Sequence, residues 1–202
     1  CISEPYIVSS YKSHNEMNSN NINDIYIDEE KRIWIANYPE GITIIDNRYK
    51  SYNWIKHSIG NRQSLVNDQV HSVIEDSDGD LWFGTSNGIS LYQSKTGQWH
   101  SFLRSFDHQL KNKNHIFITL CEVSPGIIWA GGYTSGVYKI NKRTLSVEYF
   151  SPYLLNPDNI RPDKYIRDIV KDSKGYIWSG GFYNLKCFDL SLNSVRLYPG
   201  IN

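Results

Sequence analysis

Three sets of residues in this 202-residue sequence have types and spacings that could do chemistry. Gly84-Thr85-Ser86-Asn87-Gly88 matches the G-x-S-x-G pattern, in which a strained turn between a strand and a helix exposes a nucleophilic serine. Asp76, Asp78 and Asp80 stand two apart, as carboxylates do at the start of a calcium loop. Six histidines, His14, His57, His71, His100, His108 and His115, could supply metal ligands or general bases.

The surroundings argue against each of these uses. Ser86 is followed by Ile89-Ser90-Leu91-Tyr92, which reads as another strand where the nucleophile motif needs a helix. The parallel segments Ala36 to Gly41 and Gly131 to Gly136 keep no serine at its place. From Asp76, the twelfth position of a calcium loop falls on Asn87, where a bidentate Glu is required. The sibling turns Ser124-Pro125-Gly126 and Ser173-Lys174-Gly175 lack the carboxylate array, so turn chemistry, which favours Asp and Gly, accounts for the aspartates. The histidines form no H-E-x-x-H and read as loop or strand surface. No pair of carboxylates recurs at matched positions, which leaves a glycosidase without residues. The segment reads as non-catalytic, with no cofactor and no metal.

The totals point the same way. With 21 basic and 21 acidic residues the formal net charge is zero, so the footprint of a nucleic-acid or anionic-membrane binder is missing. No apolar run reaches the roughly 18–20 residues of a membrane helix. Cys1, Cys121 and Cys187 are an odd set, which speaks against a disulfide framework, and Cys121 and Cys187 sit at apolar strand positions as small buried hydrophobes.

The elements that position these residues repeat. Trp34, Trp82, Trp129 and Trp178 are spaced 48, 47 and 49 apart, each after a strand and a tight turn and before a second turn and a third strand. Gly79, Gly126 and Gly175 suit the first turn, and Gly41, Gly88 and Gly136 the second, where the last repeat has Asn184. Third strands such as Ile42-Thr43-Ile44-Ile45 and Val137-Tyr138-Lys139-Ile140 are mostly apolar on both faces and need cover on both sides, as sheets stacked radially provide.

The expected fold is therefore all-β: an arc of four four-stranded antiparallel propeller blades over 20–66, 67–114, 115–163 and 164–202. An extra N-terminal strand, Pro5 to Tyr11, and its loop occupy 1–19 as the end of a preceding blade. That unpaired strand, and a start at Cys1 in mid-pattern, lead to the expectation of a fragment. A seven-bladed ring at about 48 residues per blade would need roughly 340 residues.

The phrase from Asp76 to Ile89, D-S-D-G-D-L-W-F-G-T-S-N-G-I, closely resembles the two-component regulator propeller repeat, and Asp172 to Trp178 repeats its first half. The resemblance is strongest in the second and fourth repeats. The third departs with Val123 at the usual acidic position, and the first has Lys31 in place of glycine, which predicts a different turn there. The resemblance implies the periplasmic sensor region of a Bacteroidetes hybrid sensor histidine kinase. Such a region is a homodimer that responds to oligosaccharides and feeds a phosphorelay, and the remaining blades of the parent propeller would be this segment's partners. On that reading Tyr38, Asn87, Tyr133 and Tyr183, on second-turn loops, are the ligand-binding candidates, because rings stack on sugar faces and amides bond hydroxyls. Two other classes stay open: a structural or protein-interaction propeller, and a propeller lyase or hydrolase, which would need acid/base groups converging on the central channel.

Overall fold

A computed structural model describes residues 21–39, 41–46, 51–104, 115–150, 164–182, 184–191 and 194–199. The extra strand expected at Pro5 to Tyr11 lies outside them. Among the described residues there are four antiparallel sheets of four strands each, and within every sheet the strands follow chain order. The first sheet holds β1 (Ile22–Ile27), β2 (Ile33–Asn37), β3 (Gly41–Asp46) and β4 (Ser51–Ile55). The second holds β5 (Val70–Glu75), β6 (Leu81–Thr85), β7 (Gly88–Gln93) and β8 (Gln98–Phe102). The third holds β9 (Phe117–Ser124), β10 (Ile127–Gly132), β11 (Gly136–Asn141) and β12 (Ser146–Phe150). The fourth holds β13 (Ile166–Lys171), β14 (Ile177–Gly181), β15 (Asn184–Asp189) and β16 (Ser194–Pro199).

Consecutive sheets stack face to face, with β1, β5, β9 and β13 side by side as the innermost strands. The first three repeated tryptophans each fill the seam between their own sheet and the next. Trp34 clusters with Val70, Val73 and Phe83, Trp82 with Phe117 and Ile128, and Trp129 with Ile166, Ile169 and Phe188. Trp178, with no described sheet beyond it, is half-buried. No apolar cluster joins the first sheet to the fourth among the described residues, so the blades form an open propeller arc. Its end faces show large apolar side chains to solvent: Ile25 and Ile27 at one end, Val170 and Leu185 at the other. The same end effect leaves Cys187 half-buried, whereas Cys121 is buried as expected.

One carboxylate organises the first hairpin of three sheets. Asp28, Asp76 and Asp172 each accept the indole N–H of the tryptophan six residues on, at 2.9, 2.8 and 2.9 Å. The same side chains accept the backbone N–H four residues on, from Arg32, Asp80 and Tyr176. The turn needs a left-handed residue, supplied by Gly79 (φ +82°) and Gly175 (φ +88°). The different turn expected at Lys31 is not formed. Lys31 itself takes φ +65°, and its N–H bonds Asp28 O at 2.9 Å just as Gly79 N–H bonds Asp76 O, because the three bonds to Asp28 hold the turn against the cost at Cβ. In the third sheet Val123 is core filling, and the neighbouring Glu122 caps Gly126 N–H at 2.8 Å.

The second-turn glycines also have a steric reason. Gly88 has φ +102°, and a Cβ there would lie 2.5 Å from Phe102 O. Gly41 and Gly136 share the conformation, at +92° and +78°.

Candidate functional site

The β2–β3, β6–β7 and β10–β11 turns share one face with the segments that join consecutive sheets, and backbone bonds fix them there. In the first three sheets the residue four after the tryptophan donates its N–H to the carbonyl just before its own sheet's first strand: Tyr38 to Asn21, Ser86 to Gln69 and Tyr133 to Ile116, each at 2.9 Å. The next glycine ties the turn to the following sheet, Gly88 N–H to His115 O and Gly136 N–H to Lys164 O, both at 2.8 Å. With turn and joining segment bonded at both ends, the side chains they present are held on a rigid base.

On the third and fourth sheets that face is aromatic. Tyr133 meets Tyr165 edge to face, at 5.1 Å between centroids, and Tyr165 stacks on Phe182 at 3.9 Å. Tyr133 is 45% and Phe182 70% exposed, so the rings form an open platform rather than core. On the first and second sheets the face is polar. His71 Nε2 lies 2.8 Å from Ser86 Oγ, its ring 6.2 Å from that of Tyr38, and its Nδ1 3.5 Å from Asn23 Nδ2. Burial holds the His71 imidazole below its ordinary value, so the ring is neutral at neutral pH and offers one donor and one acceptor. Ser86 and His71 are the pair that a serine nucleophile would use. The group facing His71 Nδ1 is the Asn23 amide, where such a triad places a carboxylate.

Of the residues singled out in the sequence, Tyr133 joins the aromatic platform and Tyr38 the His71 group. Asn87 is half-buried and gives its backbone N–H to Thr85 Oγ1 at 3.1 Å. Tyr183 lies outside the described residues. Phe182 and Tyr165 were missed. The signal for Phe182 was available, since it stands four after Trp178 as Tyr38 and Tyr133 stand four after Trp34 and Trp129. Tyr165 had no such signal, because the residue before each first strand has no fixed type.

On the opposite face, turn chemistry explains Asp76 but only part of the Asp76-Asp78-Asp80 cluster. Lys142, from the β11–β12 turn of the next sheet, puts its Nζ 2.7, 2.8 and 2.8 Å from the three carboxylates. Burial alone would depress that ammonium, but its hydrogen bonds to the three carboxylates outweigh burial and raise it. A lysine therefore stands where a calcium loop would hold its ion. Glu122 adds a second link across the same seam, accepting Ser77 N–H at 2.8 Å and Ser77 O–H at 3.0 Å.

Comparisons with known proteins agree with this architecture. Residues 16–38 and 64–87 match the family model described as two component regulator propeller, over the first and second repeats rather than the second and fourth. No curated protein matches the chain in sequence. Among solved structures, the extracellular domain of the hybrid two-component system BT3049 from B. thetaiotaomicron superposes with a TM-score of 0.74 at 22% identity, over 96% of this chain and 25% of that one. The extracellular domain of the one-component system BT4673 from the same organism gives 0.68 at 21% identity, over 91% and 25%. A gluconolactonase from Xanthomonas campestris, XC5397, gives 0.60 at 14% identity, over 88% and 61%. The chain thus spans about a quarter of the length of the two extracellular domains, and at these identities the likeness concerns the fold. Residues 16–38 and 64–87 thus match two-component regulator propeller repeats, and the fourth sheet repeats their hairpin carboxylate at Asp172.

Proposed function

We propose that this chain is part of the periplasmic sensor region of a hybrid two-component system, and that its second-turn face contacts an oligosaccharide. The observation that carries the reading is the exposed platform of Tyr133, Tyr165 and Phe182, with the turn of Tyr133 bonded through Gly136 N–H to Lys164 O beside Tyr165. A pyranose ring lays its C–H face on such rings, while neutral donors and acceptors such as His71, Ser86 and Asn23 suit its hydroxyls. Tyr38 and Asn87 extend the contact around the same face. The segment acts by binding, and the kinase and phosphorelay chemistry belongs to other parts of the protein. In a homodimeric parent, a ligand that binds one dimer arrangement better than another shifts the population between them, which is the signal a kinase can read. The exposed end faces around Ile25 and Leu185 take further blades of the parent propeller.

Calorimetric titration of the intact protein with a panel of glycan oligosaccharides tests this. Saturable binding that weakens at least tenfold in Tyr133→Ala and Phe182→Ala is the expected result. A folded, dimeric protein that binds no member of the panel would make the propeller a scaffold.

A further inference from the structure

The seam between the first and second sheets is built differently from the other two, and the difference opens a cleft. By strand register, Ile55 pairs with Ile42 as Phe102 pairs with Ile89, Phe150 with Val137 and Tyr198 with Leu185. Three of these four are rings, each against its own sheet's tryptophan: Phe102 on Trp82 at 5.5 Å, Phe150 on Trp129 at 4.4 Å and Tyr198 on Trp178 at 5.6 Å. Ile55 has no ring to offer Trp34. A cavity of about 610 Å³ lies beside it, between β3 and β4 of the first sheet and β7 and β8 of the second. That volume falls within the roughly 300–1,000 Å³ of ligand pockets.

One wall is a pair of rings where the third and fourth sheets have at most one. Trp99 pairs with Tyr92 on the second sheet, and both line the cleft, while the equivalent pairs in the third and fourth sheets are Ile140 with Val147 and Phe188 with Val195. Trp54 lines it from β4 and is 59% exposed, with Lys56 Nζ 5.1 Å from its ring centre. Its register equivalents are Ser101, Tyr149 and Leu197, so an indole at this position is not demanded by the repeat. The borders are polar and of both signs, with Glu30 and Arg32 at one end and Lys56 and Ser58 at the other, and Asn61 and Gln63 on the joining segment.

We infer that this cleft is a second carbohydrate site, for a short oligosaccharide laid against the Tyr92–Trp99 wall, with Trp54 at its border and its hydroxyls at the polar rim. One exposed indole, Trp54, with flanking amides and charges matches a ring that is apolar on its faces and hydroxylated at its rim. The inference goes beyond the second-turn face and does not depend on it, since the two sites share no residue.

The test is titration of the intact protein with neutral and uronic-acid oligosaccharides, read by heat and by tryptophan fluorescence. Ile55→Phe restores the ring the other sheets carry and fills the cleft without weakening the fold. It is expected to lower affinity at least tenfold, as is Trp54→Ala, while Phe182→Ala leaves this component of binding intact. Binding that survives both Ile55→Phe and Trp54→Ala overturns the inference, as does a folded protein that binds no member of the panel. Loss in Phe182→Ala alone assigns all binding to the second-turn face and also overturns it.

Discussion

The first two sheets start from the same hairpin and finish it in opposite ways. In the first, Asp28 finds its cation within its own hairpin: Arg32 Nε lies 2.6 Å from its carboxylate, and the guanidinium sits 5.6 Å from the Trp34 ring centre. In the second, Asp76 takes Lys142 from the neighbouring sheet, and Phe102 covers Trp82. A charge satisfied locally leaves the outer strands of the seam apart, and the cleft forms there, while Tyr26 O–H to Glu75 and Val73 N–H to Asp24 hold the inner strands together. A charge satisfied across the seam locks two sheets together. The same repeat thus makes a wall or a site according to where one cation comes from and whether one position carries a ring.

The largest test of that contrast is removal of the two cations. Lys142 and Asp76 are nearly sealed from water, with side chains 9% and 0% exposed. Taking away one partner of a buried ion pair leaves an uncompensated charge, at a cost of about 3–5 kcal/mol, and Lys142→Ala is expected at the lower end because water reaches Asp78. Arg32 is 31% exposed, and Asp28 keeps its bonds from Trp34 and the backbone, so Arg32→Ala is expected to cost about 1 kcal/mol or less. Equal losses in denaturant titrations would remove the distinction between the two seams. Acid adds a sign. The hydrogen bond from Lys142 holds Asp78 below its ordinary 3.8, so that contribution is present above about pH 4 and lost as pH falls through the lowered value. In Lys142→Ala stability should fall less steeply below pH 4 than in the unmodified chain.

Much of the fold was legible because it is written locally and repeated. The tryptophan period, the Asp six residues ahead of it and the turn glycines fix strands and hairpins within about twenty residues of chain. The links across seams were not legible. Lys142 meets Asp78 over 64 residues, and nothing about a lysine in a polar turn distinguishes it from the equally polar Ser94 at the matching turn. The aromatic platform was half-read: Tyr133 follows the repeat, but an adjacent Tyr183 competed with Phe182 and only the count from Trp178 separates them. The rim cleft depends on an absence, the missing ring at Ile55, and an isoleucine in a strand carries no signal until register lines it up with Phe102, Phe150 and Tyr198.

A smaller change should convert one seam toward the other. Phe102 is 6% exposed and stacks on Trp82 with 23° between planes, so Phe102→Ile removes both buried area and a ring contact. A loss of about 1–2 kcal/mol is expected, part of it the roughly 0.5–1.5 kcal/mol that an aromatic pair adds beyond burial. Ile55→Phe should move the first seam the other way by about 0.5–2 kcal/mol, as filling a cavity does. Thermal unfolding of the two single variants and the double variant would show effects that add, since Ile55 and Phe102 belong to different seams. Strong coupling between them would mean the two seams unfold as one body with a shared core.

The smallest difference between the two sheets is Lys31 against Gly79. Both residues are left-handed, at +65° and +82°, and both close the same backbone bond to the aspartate three residues earlier. For a residue with a Cβ that conformation costs about 1–2 kcal/mol. Glycine avoids the clash but has more freedom to lose on folding, a penalty of roughly 0.5–1 kcal/mol. Lys31 is exposed, so little packing is lost with its side chain. The balance favours Lys31→Gly by about 0.5 kcal/mol, and Gly79→Lys should cost a similar amount, because Gly79 has only Glu75 Oε1, at 3.4 Å, within contact of a Cβ. If Lys31→Gly instead lowered the denaturation midpoint, the lysine would be holding the hairpin through its side chain. The first sheet's turn would then differ from the second's in chemistry as well as in residue.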